Sequence, residues 1–317
     1  MSDTIHDVII IGGGPGGLTA AIYAKRAAMD VILIEKGVPG GQIINSDEVE
    51  NYPGFENISG AELGMKFSQH AGSYGLETVS REVEAILPGA EFHTVQLDDG
   101  TMRKAHAVIL GSGGHPRKLN IPGESEFYGK GVSYCAVCDG FFFRGKTVVV
   151  VGGGDSAAEE ALYLSKIAEK VYIAHRRDAL RAGMLLQQRV FDECKIEMLW
   201  DTVLTRIKAN DEGVYAADLK DTQTGDQLEI SIDGVFIFIG FDPNNAIVPA
   251  GIKMSVEGNV ITDEKCETAI PGIYAIGDLR EKYARQIITA AADGCVAALA
   301  AAHHVEAKKA QQDTCTL

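Results

Sequence analysis

Positive charge is scarce in this sequence. The 317 residues include 29 lysines and arginines against 44 aspartates and glutamates, which gives a formal net charge of −15 at pH 7. Proteins that bind nucleic acids hold the phosphate backbone with basic surface, so this balance excludes a general nucleic-acid partner. Any local cluster of basic residues therefore needs its own explanation.

Long apolar runs are also scarce. Residues 1–7 contain no lysine or arginine, with which a secretory signal begins. The most apolar late segment, 287–302, contains Asp293 and Gly294 and is shorter than the roughly 20 residues that cross a bilayer. We therefore expect a cytoplasmic protein without a membrane span.

Cysteine is sparse as well, since six residues in a chain of this size do not form a disulfide framework. Two of them, Cys135 and Cys138, form a Cys-x-x-Cys pair followed by Asp139. Such a pair can close a small disulfide ring, and the neighbouring carboxylate could carry the proton. The spacing also suits half of a zinc site or a structural pair. No second Cys-x-x-Cys or paired Cys/His motif completes a zinc site, so we favour redox chemistry and expect no metal.

Glycine, in contrast, is plentiful and follows apolar strands. An apolar run at 7–11 leads into Gly12-Gly13-Gly14-Pro15-Gly16-Gly17, the composition of 18–28 predicts a helix, and a second strand at 31–34 ends at Glu35. Strand, glycine loop, helix, strand and acid in this order are typical of a dinucleotide-binding unit.

Each part of this loop has a physical role. Gly12 permits the tight turn, Gly14 lets the backbone approach a pyrophosphate, and Gly17 lets helix and strand pack closely. The helix N-terminus offers unpaired N–H groups to the anion. Glu35 would accept hydrogen bonds from ribose hydroxyls.

The same pattern of strand, glycine loop, helix and strand occurs a second time. A strand at 146–151 leads into Gly152-Gly153-Gly154-Asp155-Ser156-Ala157, followed by a helix through Ile167 and a strand at 170–174. We therefore expect two dinucleotide sites, one for a cofactor that stays bound and one for a cofactor that visits.

The two copies differ at the end of the second strand. Where the first copy has Glu35, the second has His175, followed by Arg176, Arg177 and, further on, Arg181. A carboxylate suits a free ribose 2′-hydroxyl, whereas arginine forks bind a 2′-phosphate. The second site should therefore prefer NADPH over NADH, although a solvated basic turn would look similar. The first site suits FAD, and Asp278 in the later Gly277-Asp278 motif could bind the flavin's ribityl or pyrophosphate region.

Glycine-containing segments also indicate how the chain is divided. The segments 111–114 and 240–244 each follow an apolar strand and are predicted to be hinges. We expect an α/β protein with two Rossmann-like dinucleotide-binding domains, in which an NADPH domain (115–243) is inserted into an FAD domain (1–114 and 244–317). A helix over about 286–304 should pack on the FAD domain.

Taken in order, these motifs resemble those of bacterial-type, low-molecular-weight thioredoxin reductases, which are FAD- and NADPH-dependent pyridine nucleotide-disulfide oxidoreductases. The resemblance covers essentially the whole chain. It rests on residues 12–17 with Glu35, 40–42, 50–54, 135–139, 175–181, 277–278 and 285–287.

The resemblance implies a set of cofactor-binding residues. Those implied for FAD are Gly12, Gly13, Gly14, Pro15, Gly17, Glu35, Gly41, Gln42, Asn51, Gly277, Asp278, Arg285, Gln286 and Ile287. Those implied for NADPH are Gly153, Gly154, Asp155, Ser156, Ala157, His175, Arg176, Arg177 and Arg181.

The resemblance also implies a homodimer and a reaction. NADPH would reduce the flavin, which would reduce the Cys135–Cys138 disulfide, with Cys138 nearest the flavin. Cys135 would then attack the disulfide of oxidised thioredoxin, and Asp139 would give and take the proton. Rotation about the two hinges would alternate the nicotinamide and the disulfide at one flavin.

Other readings of the sequence stay open. A related NADPH flavoprotein could reduce another disulfide, such as that of a peroxiredoxin partner or a glutaredoxin-like protein, or pass electrons to oxygen. A flavin-based redox sensor is a different class, which would be reduced once and stop.

Overall fold

The computed structural model describes residues 4–46, 49–211 and 213–315, with side chains as far as residue 310. The chain forms two compact units. The first unit contains Met1–His115 and Asp242–Leu317, and the second unit contains Pro116–Phe241. The boundaries predicted from the sequence, after residues 114 and 243, lie next to these points.

The helices and strands follow one another as in two nucleotide-binding folds. The first pass through the first unit contains β1 (Ile5–Ile11), α1 (Pro15–Arg26), β2 (Val31–Ile34), α2 (Gly60–Gly72), β3 (Glu77–Val79), β4 (Val83–Leu87), β5 (His93–Leu97) and β6 (Met102–Leu110). The strand β7 (Gly114–Pro116) contains the passage to the second unit.

The second unit holds most of the remaining elements. They are β8 (Val132–Ser133), α3 (Ala136–Asp139), β9 (Thr147–Gly152), α4 (Asp155–Ser165), β10 (Lys170–Ala174), α5 (Met184–Asp192), β11 (Ile196–Leu199), β12 (Thr202–Asn210), β13 (Gly213–Asp221), β14 (Gln227–Ser231) and β15 (Gly234–Phe238). The return to the first unit lies in β16 (Phe241–Pro243), and β17 (Ile273–Ala275) and α6 (Ile287–Cys315) follow.

The main sheet of the first unit has β1 at its centre, paired in parallel with β2 on one side and β6 on the other. Strand β17 also pairs in parallel with β6, while β5 and β4 extend the sheet antiparallel. Because these strands are parallel, the carboxyl ends of β1, β2, β6 and β17 meet at one edge. Ligands of open α/β sheets bind at such an edge.

Both faces of this sheet are covered, which explains why β1 is a continuous apolar run. Val8 and Ile10 lie in a core cluster with α1 and α6. Ile9 and Ile11 lie in another cluster on the opposite face, with side chains from β4 and β5.

The second unit repeats this plan. Its five-stranded parallel sheet has the order β11-β10-β9-β15-β8. Val148 and Val150 of β9 pack with α4 and α5 on one face. Val149 and Val151 pack against the antiparallel sheet β12-β13-β14 on the other face.

The last helix corrects two expectations. It runs to Cys315 instead of ending near His304, and its segment Ile287–Ala310 is long and apolar enough to cross a membrane by length and composition alone. The sequence-based prediction counted only residues 287–302 as apolar, whereas the apolar helix is longer, so length alone does not exclude a span. In the structure its alanines are core residues, since Ala297, Ala298 and Ala301 are buried in the same cluster as α1.

Gly294 does not interrupt α6; it allows α6 to approach α1. A Cβ at Gly294 would overlap the carbonyl oxygen of Gly16 and would lie 3.0 Å from the backbone nitrogen of Ala20. Backbone atoms cannot move aside as a flexible side chain can. The contact between the two helices therefore requires glycine at this position.

We expect Gly294→Ala to destabilise the protein, by about 1–3 kcal/mol, because overpacking forces the backbones apart. The matched control is Gly72→Ala, at the end of α2, where an added Cβ has no heavy atom within 4 Å. That variant should be neutral or slightly more stable. Thermal unfolding of both variants tests this, and an equal effect of the two substitutions would contradict the proposed packing constraint.

Candidate functional site

The first glycine loop leaves β1 at the carboxyl edge of the sheet. Gly12 has φ +100°, and a Cβ there would overlap the carbonyl oxygen of Gly111. A Cβ at Gly17 would overlap the carbonyl oxygen of Gly12. These two glycines are therefore required by the loop itself, for the turn and for the close packing of α1.

Gly14 and Gly154, the second glycines of the two motifs, are different. They are the N-cap residues of α1 and α4 and have ordinary negative φ values of −73° and −95°. A Cβ at Gly14 would meet only the Cα of Gly41, at 3.9 Å, and a Cβ at Gly154 would meet nothing within 4 Å. Neither conformation nor packing explains glycine here. The free space beside each helix N-terminus fits a group that must approach the backbone closely, as a pyrophosphate does.

Glu35 lies against this loop. Its carboxylate accepts hydrogen bonds from the backbone N–H groups of Gly13, at 2.6 Å, and Gly37, at 2.7 Å. These bonds fix the carboxylate at the end of β2, beside the loop, which is the place where a ribose hydroxyl would need an acceptor.

Residues far apart in sequence meet around the first loop. The backbone N–H of Gly40 donates to the carbonyl of Gly13 at 2.7 Å. A Cβ at Gly41 would lie 2.9 Å from the Cα of Gly14, so this pair of glycines also lies in contact. Asn51 donates to the side-chain oxygen of Gln286 at 3.3 Å, which joins the segment after β2 to the start of α6.

The late Gly277-Asp278 motif follows β17 at the same edge. Burial raises the pKa of Asp278 above its usual value. Asn259 donates to the backbone carbonyl of Asp278 at 3.1 Å and accepts from the Arg285 guanidinium at 3.3 Å. Asn259 is almost fully buried, and no local sequence motif identifies it.

A cluster of buried charged groups on the α6 side holds this motif in place. The Asp293 carboxylate of α6 accepts from Arg280 at 2.8 Å, from Lys282 at 2.9 Å and from the backbone N–H of Gly277 at 3.0 Å. Asp293 was interpreted from the sequence only as a break in an apolar segment. Its position explains how the turn at Gly277 is held against α6.

In the second unit His175 occupies the place that Glu35 has in the first. Its ring lies directly over Gly153, beside Trp200, and only 5% of the residue is exposed. Burial lowers the pKa of His175, with Arg181 and Arg177 contributing further. Burial thus disfavours the charged form of the imidazole that covers the glycine loop, and the positive charge of this segment comes from the arginines.

Arg176, Arg177 and Arg181 are exposed at the end of β10. Within residues 4–46, 49–211 and 213–310, none of their guanidinium groups forms an ion pair with a carboxylate. The backbone N–H of Arg181 donates to the carbonyl of Gly153 at 2.6 Å, which ties this basic segment to the glycine loop. An acidic protein thus carries an uncompensated basic cluster beside its second loop.

The neighbouring residues hold the same segment in place. Asp155, the first residue of α4, accepts from the backbone N–H of Gly183 at 2.7 Å. Ser156 is exposed at the same helix end, and Ala157 is buried beneath it.

The cysteine pair forms a disulfide in the second unit. Cys135 and Cys138 are half-buried, with their Cα atoms 5.3 Å apart, at the start of the short helix α3. The backbone N–H of Cys138 donates to the sulfur of Cys135 at 3.2 Å. Such a donor favours the thiolate form of Cys135 once the disulfide is reduced.

Asp139 ends α3 and is joined to the strand before the disulfide. The hydroxyl of Ser133, the last residue of β8, contacts the Asp139 carboxylate. Upstream, Tyr134 donates to the Glu124 carboxylate at 2.8 Å, and Glu124 also accepts from the backbone N–H groups of Leu119 and Asn120. Neither Ser133 nor Glu124 belongs to a recognisable sequence motif, so their roles are visible only in the fold.

The described part of the chain contains no group of three or more histidine, cysteine, aspartate or glutamate side chains arranged to hold a metal ion. Among the cysteines whose side chains are described, Cys194, Cys266 and Cys295 are free thiols. Burial raises the pKa of Cys266 to about 11, which makes that thiol unreactive.

The chain is similar to known proteins over nearly its whole length. Residues 6–294 match the family model of pyridine nucleotide-disulphide oxidoreductases. A thioredoxin reductase of Bacillus subtilis is 48% identical over 305 residues, which is 96% of either chain.

Solved structures give the same result. A thioredoxin reductase of Streptococcus pyogenes, 43% identical, matches 96% of this chain and 100% of its own with a TM-score of 0.93. A Lactococcus lactis thioredoxin reductase, described as being in the FR conformation, is 46% identical and matches 95% of this chain and 99% of its own with a TM-score of 0.64. Together with two glycine loops and a Cys-x-x-Cys disulfide on one chain, these matches show that the protein belongs to the pyridine nucleotide-disulphide oxidoreductase family and, within it, to the thioredoxin reductases.

Proposed function

We propose that this thioredoxin reductase transfers electrons from NADPH, through FAD and the Cys135–Cys138 disulfide, to oxidised thioredoxin. One observation carries the proposal: a disulfide next to a carboxylate lies in the same unit as a dinucleotide loop with uncompensated arginines. The curated and solved relatives are named for the same activity. The proposed location is the cytoplasm, where thiols are kept reduced.

The first unit has the features of an FAD site. The free space at Gly14 fits a pyrophosphate, Glu35 offers a fixed acceptor for ribose hydroxyls, and Asp278 with Arg285 lies at the same sheet edge. The remaining proposed contacts come from Gly12, Gly13, Pro15, Gly17, Gly41, Gln42, Asn51, Gly277, Gln286 and Ile287. When bound, FAD supplies a carrier that takes a hydride from NADPH and gives two electrons to a disulfide.

The second unit has the features of an NADPH site. Gly154 leaves space for the pyrophosphate, and Arg176, Arg177 and Arg181 offer guanidinium forks to the 2′-phosphate. His175 covers the loop from one side. Gly153, Asp155, Ser156 and Ala157 form the rest of the proposed contact surface.

The disulfide would then work by thiol–disulfide exchange. Two electrons break the S–S bond, and Cys138 is proposed as the sulfur that faces the flavin. The Cys135 thiolate attacks one sulfur of oxidised thioredoxin and forms a mixed disulfide, while the other thioredoxin sulfur leaves with a proton from Asp139. Cys138 next attacks Cys135, which releases reduced thioredoxin and restores the Cys135–Cys138 disulfide.

Alternation between the two half-reactions is proposed to occur by rotation about segments 111–114 and 240–244. The Streptococcus and Lactococcus structures have similar identity to this chain but TM-scores of 0.93 and 0.64, so these two relatives differ from each other in overall arrangement. Rotation of one unit relative to another is a common cause of such a difference.

A homodimer is proposed through the first unit. Tyr23 of α1 and Ile288, Val296 and Leu299 of α6 are large apolar side chains that are more than a third exposed. The three residues of α6 are spaced by eight and three positions, so they share one side of the helix. An exposed apolar surface of this kind suits contact with a second copy.

The activity is tested by an anaerobic absorbance trace of the flavin. NADPH should bleach the flavin, and excess oxidised thioredoxin should restore its colour over many cycles. Cys138→Ser should keep the bleaching and lose the recovery, because no disulfide can form, while Cys194→Ser should behave as wild type. Bleaching of the wild type without recovery would point to another disulfide acceptor, and a single reduction without turnover would point to a sensor.

Nucleotide choice is tested by replacing Arg176 and Arg177 together with glutamine. The KM for NADPH should rise roughly tenfold or more for each bond lost, since a hydrogen bond to a charged group contributes about 1.5–3 kcal/mol. The KM for NADH should change little, because NADH has no 2′-phosphate. Arg189→Gln, an exposed arginine on α5, is the control, and an unchanged preference in the double variant would refute the phosphate assignment.

The two cofactor sites are tested separately by Gly14→Ala and Gly154→Ala. Both should leave the thermal stability of the protein without cofactors unchanged or slightly higher, because the added methyl group meets no protein atom. Gly14→Ala should weaken FAD binding and Gly154→Ala should weaken NADPH binding, which equilibrium titrations measure. Full binding by either variant would mean that its glycine does not face the ligand.

A further inference from the structure

The hydroxyl of Ser133 has more hydrogen-bond contacts than a structural serine needs. Ser133 is 2% exposed and pairs with Phe236 of β15, so its position is fixed by the sheet. The backbone N–H of Cys135 donates to its oxygen at 3.0 Å. The same oxygen lies within hydrogen-bond distance of two acceptors, the Asp139 carboxylate and the backbone carbonyl of Cys135, the latter at 3.2 Å.

A hydroxyl has one hydrogen and two lone pairs, so it cannot donate to both acceptors at once. When Asp139 is ionised, the Ser133 hydrogen points to the carboxylate and the Cys135 N–H fills one lone pair. When Asp139 is protonated, its own hydrogen is donated to the second lone pair of Ser133, and the Ser133 hydrogen turns to the Cys135 carbonyl. Both arrangements give the Ser133 hydroxyl a donor partner and an acceptor partner without movement of a heavy atom.

We propose that Ser133 is a positioning residue that holds Asp139 in one place through both of its protonation states during disulfide exchange. The inference rests on the proposed function of Asp139 as the proton donor. The step is a proton transfer: the protonated carboxyl gives its proton to a leaving thiolate and becomes a carboxylate, and the thiolate becomes a thiol. The Ser133 hydrogen swings from the Cys135 carbonyl to Asp139 as this happens.

Other titratable groups face the same segment. Tyr128 lies close enough for Asp139 to raise its pKa, although burial is the larger cause. From α4, burial raises the pKa of Glu160, while the nearby backbone N–H of Ala136 lowers it by a smaller amount. A transition in the pH dependence of the rate must therefore be assigned to Asp139 by substituting that residue, because the midpoint of the transition does not identify the group.

The test is the rate of disulfide reduction by pre-reduced enzyme as a function of pH, measured by stopped flow. Oxidised thioredoxin and a small aromatic disulfide serve as two separate acceptors. Asp139→Asn identifies the transition that belongs to Asp139, because that transition disappears. Glu160→Gln should leave that transition in place.

Ser133→Ala should move the Asp139 transition upward by roughly one pH unit. The ionised form loses a charge-assisted hydrogen bond and the protonated form loses a weaker neutral one, so Asp139 keeps its proton to higher pH. Ser133→Thr, which keeps the hydroxyl, should restore the wild-type position. In the Asp139→Asn background, Ser133→Ala should cause no further change in the pH profile.

Three results would overturn the inference: a transition that stays in place in Ser133→Ala, a downward shift, or an equal change of the profile in the Asp139→Asn background. If Ser133→Ala does not fold, Ser133→Thr and Ser133→Val form a matched pair that differs only in the hydroxyl. Failure of the proposed function would look different, because the wild type would then reduce the small disulfide but not thioredoxin. The pH profiles of the Ser133 variants could still be measured with the small disulfide as the acceptor.

Discussion

The arrangement of the molecule depends on a strand with parallel partners on both sides. β1 lies between β2 and β6, and β9 lies between β10 and β15, so each glycine loop leaves the sheet at the edge where neighbouring strands also end. The chain must then turn sharply into a helix, and only close backbone contacts at glycine allow it. The contacts of the first unit place Glu35 and Asp278 at one edge, and those of the second unit place Arg181 beside its own loop.

Local patterns predicted the parts that depend on neighbours in sequence. The strands at 31–34 and 170–174 have the predicted limits, and the apolar runs predicted the central strands because these strands are buried on both faces. The Cys-x-x-Cys pair was equally visible. The end of α6 was predicted wrongly because the residues from Glu306 onward are mostly polar, whereas the helix continues through them to Cys315.

Residues that act at a distance could not be found this way. Asn259 joins Asp278 to Arg285, and Asp293 binds Arg280 and Lys282, but each pairing exists only after the strands have brought the segments together. A buried asparagine or aspartate looks like any surface residue in the sequence. Such groups are found from the requirement that buried polar atoms have partners, which needs the fold.

A side chain from the end of the following strand lies over each of the two glycine loops, and this arrangement bears on how nucleotide selectivity can change. Glu35 lies over Gly13 and His175 lies over Gly153, so the two loops are covered at equivalent positions by different side chains, a carboxylate and an imidazole. The arginines that follow His175 are exposed and take no part in the core. The proposed selectivity for NADPH would therefore be carried by a surface segment that can vary independently of the glycine loop, and a duplicated fold can in this way acquire a second specificity without repacking its interior.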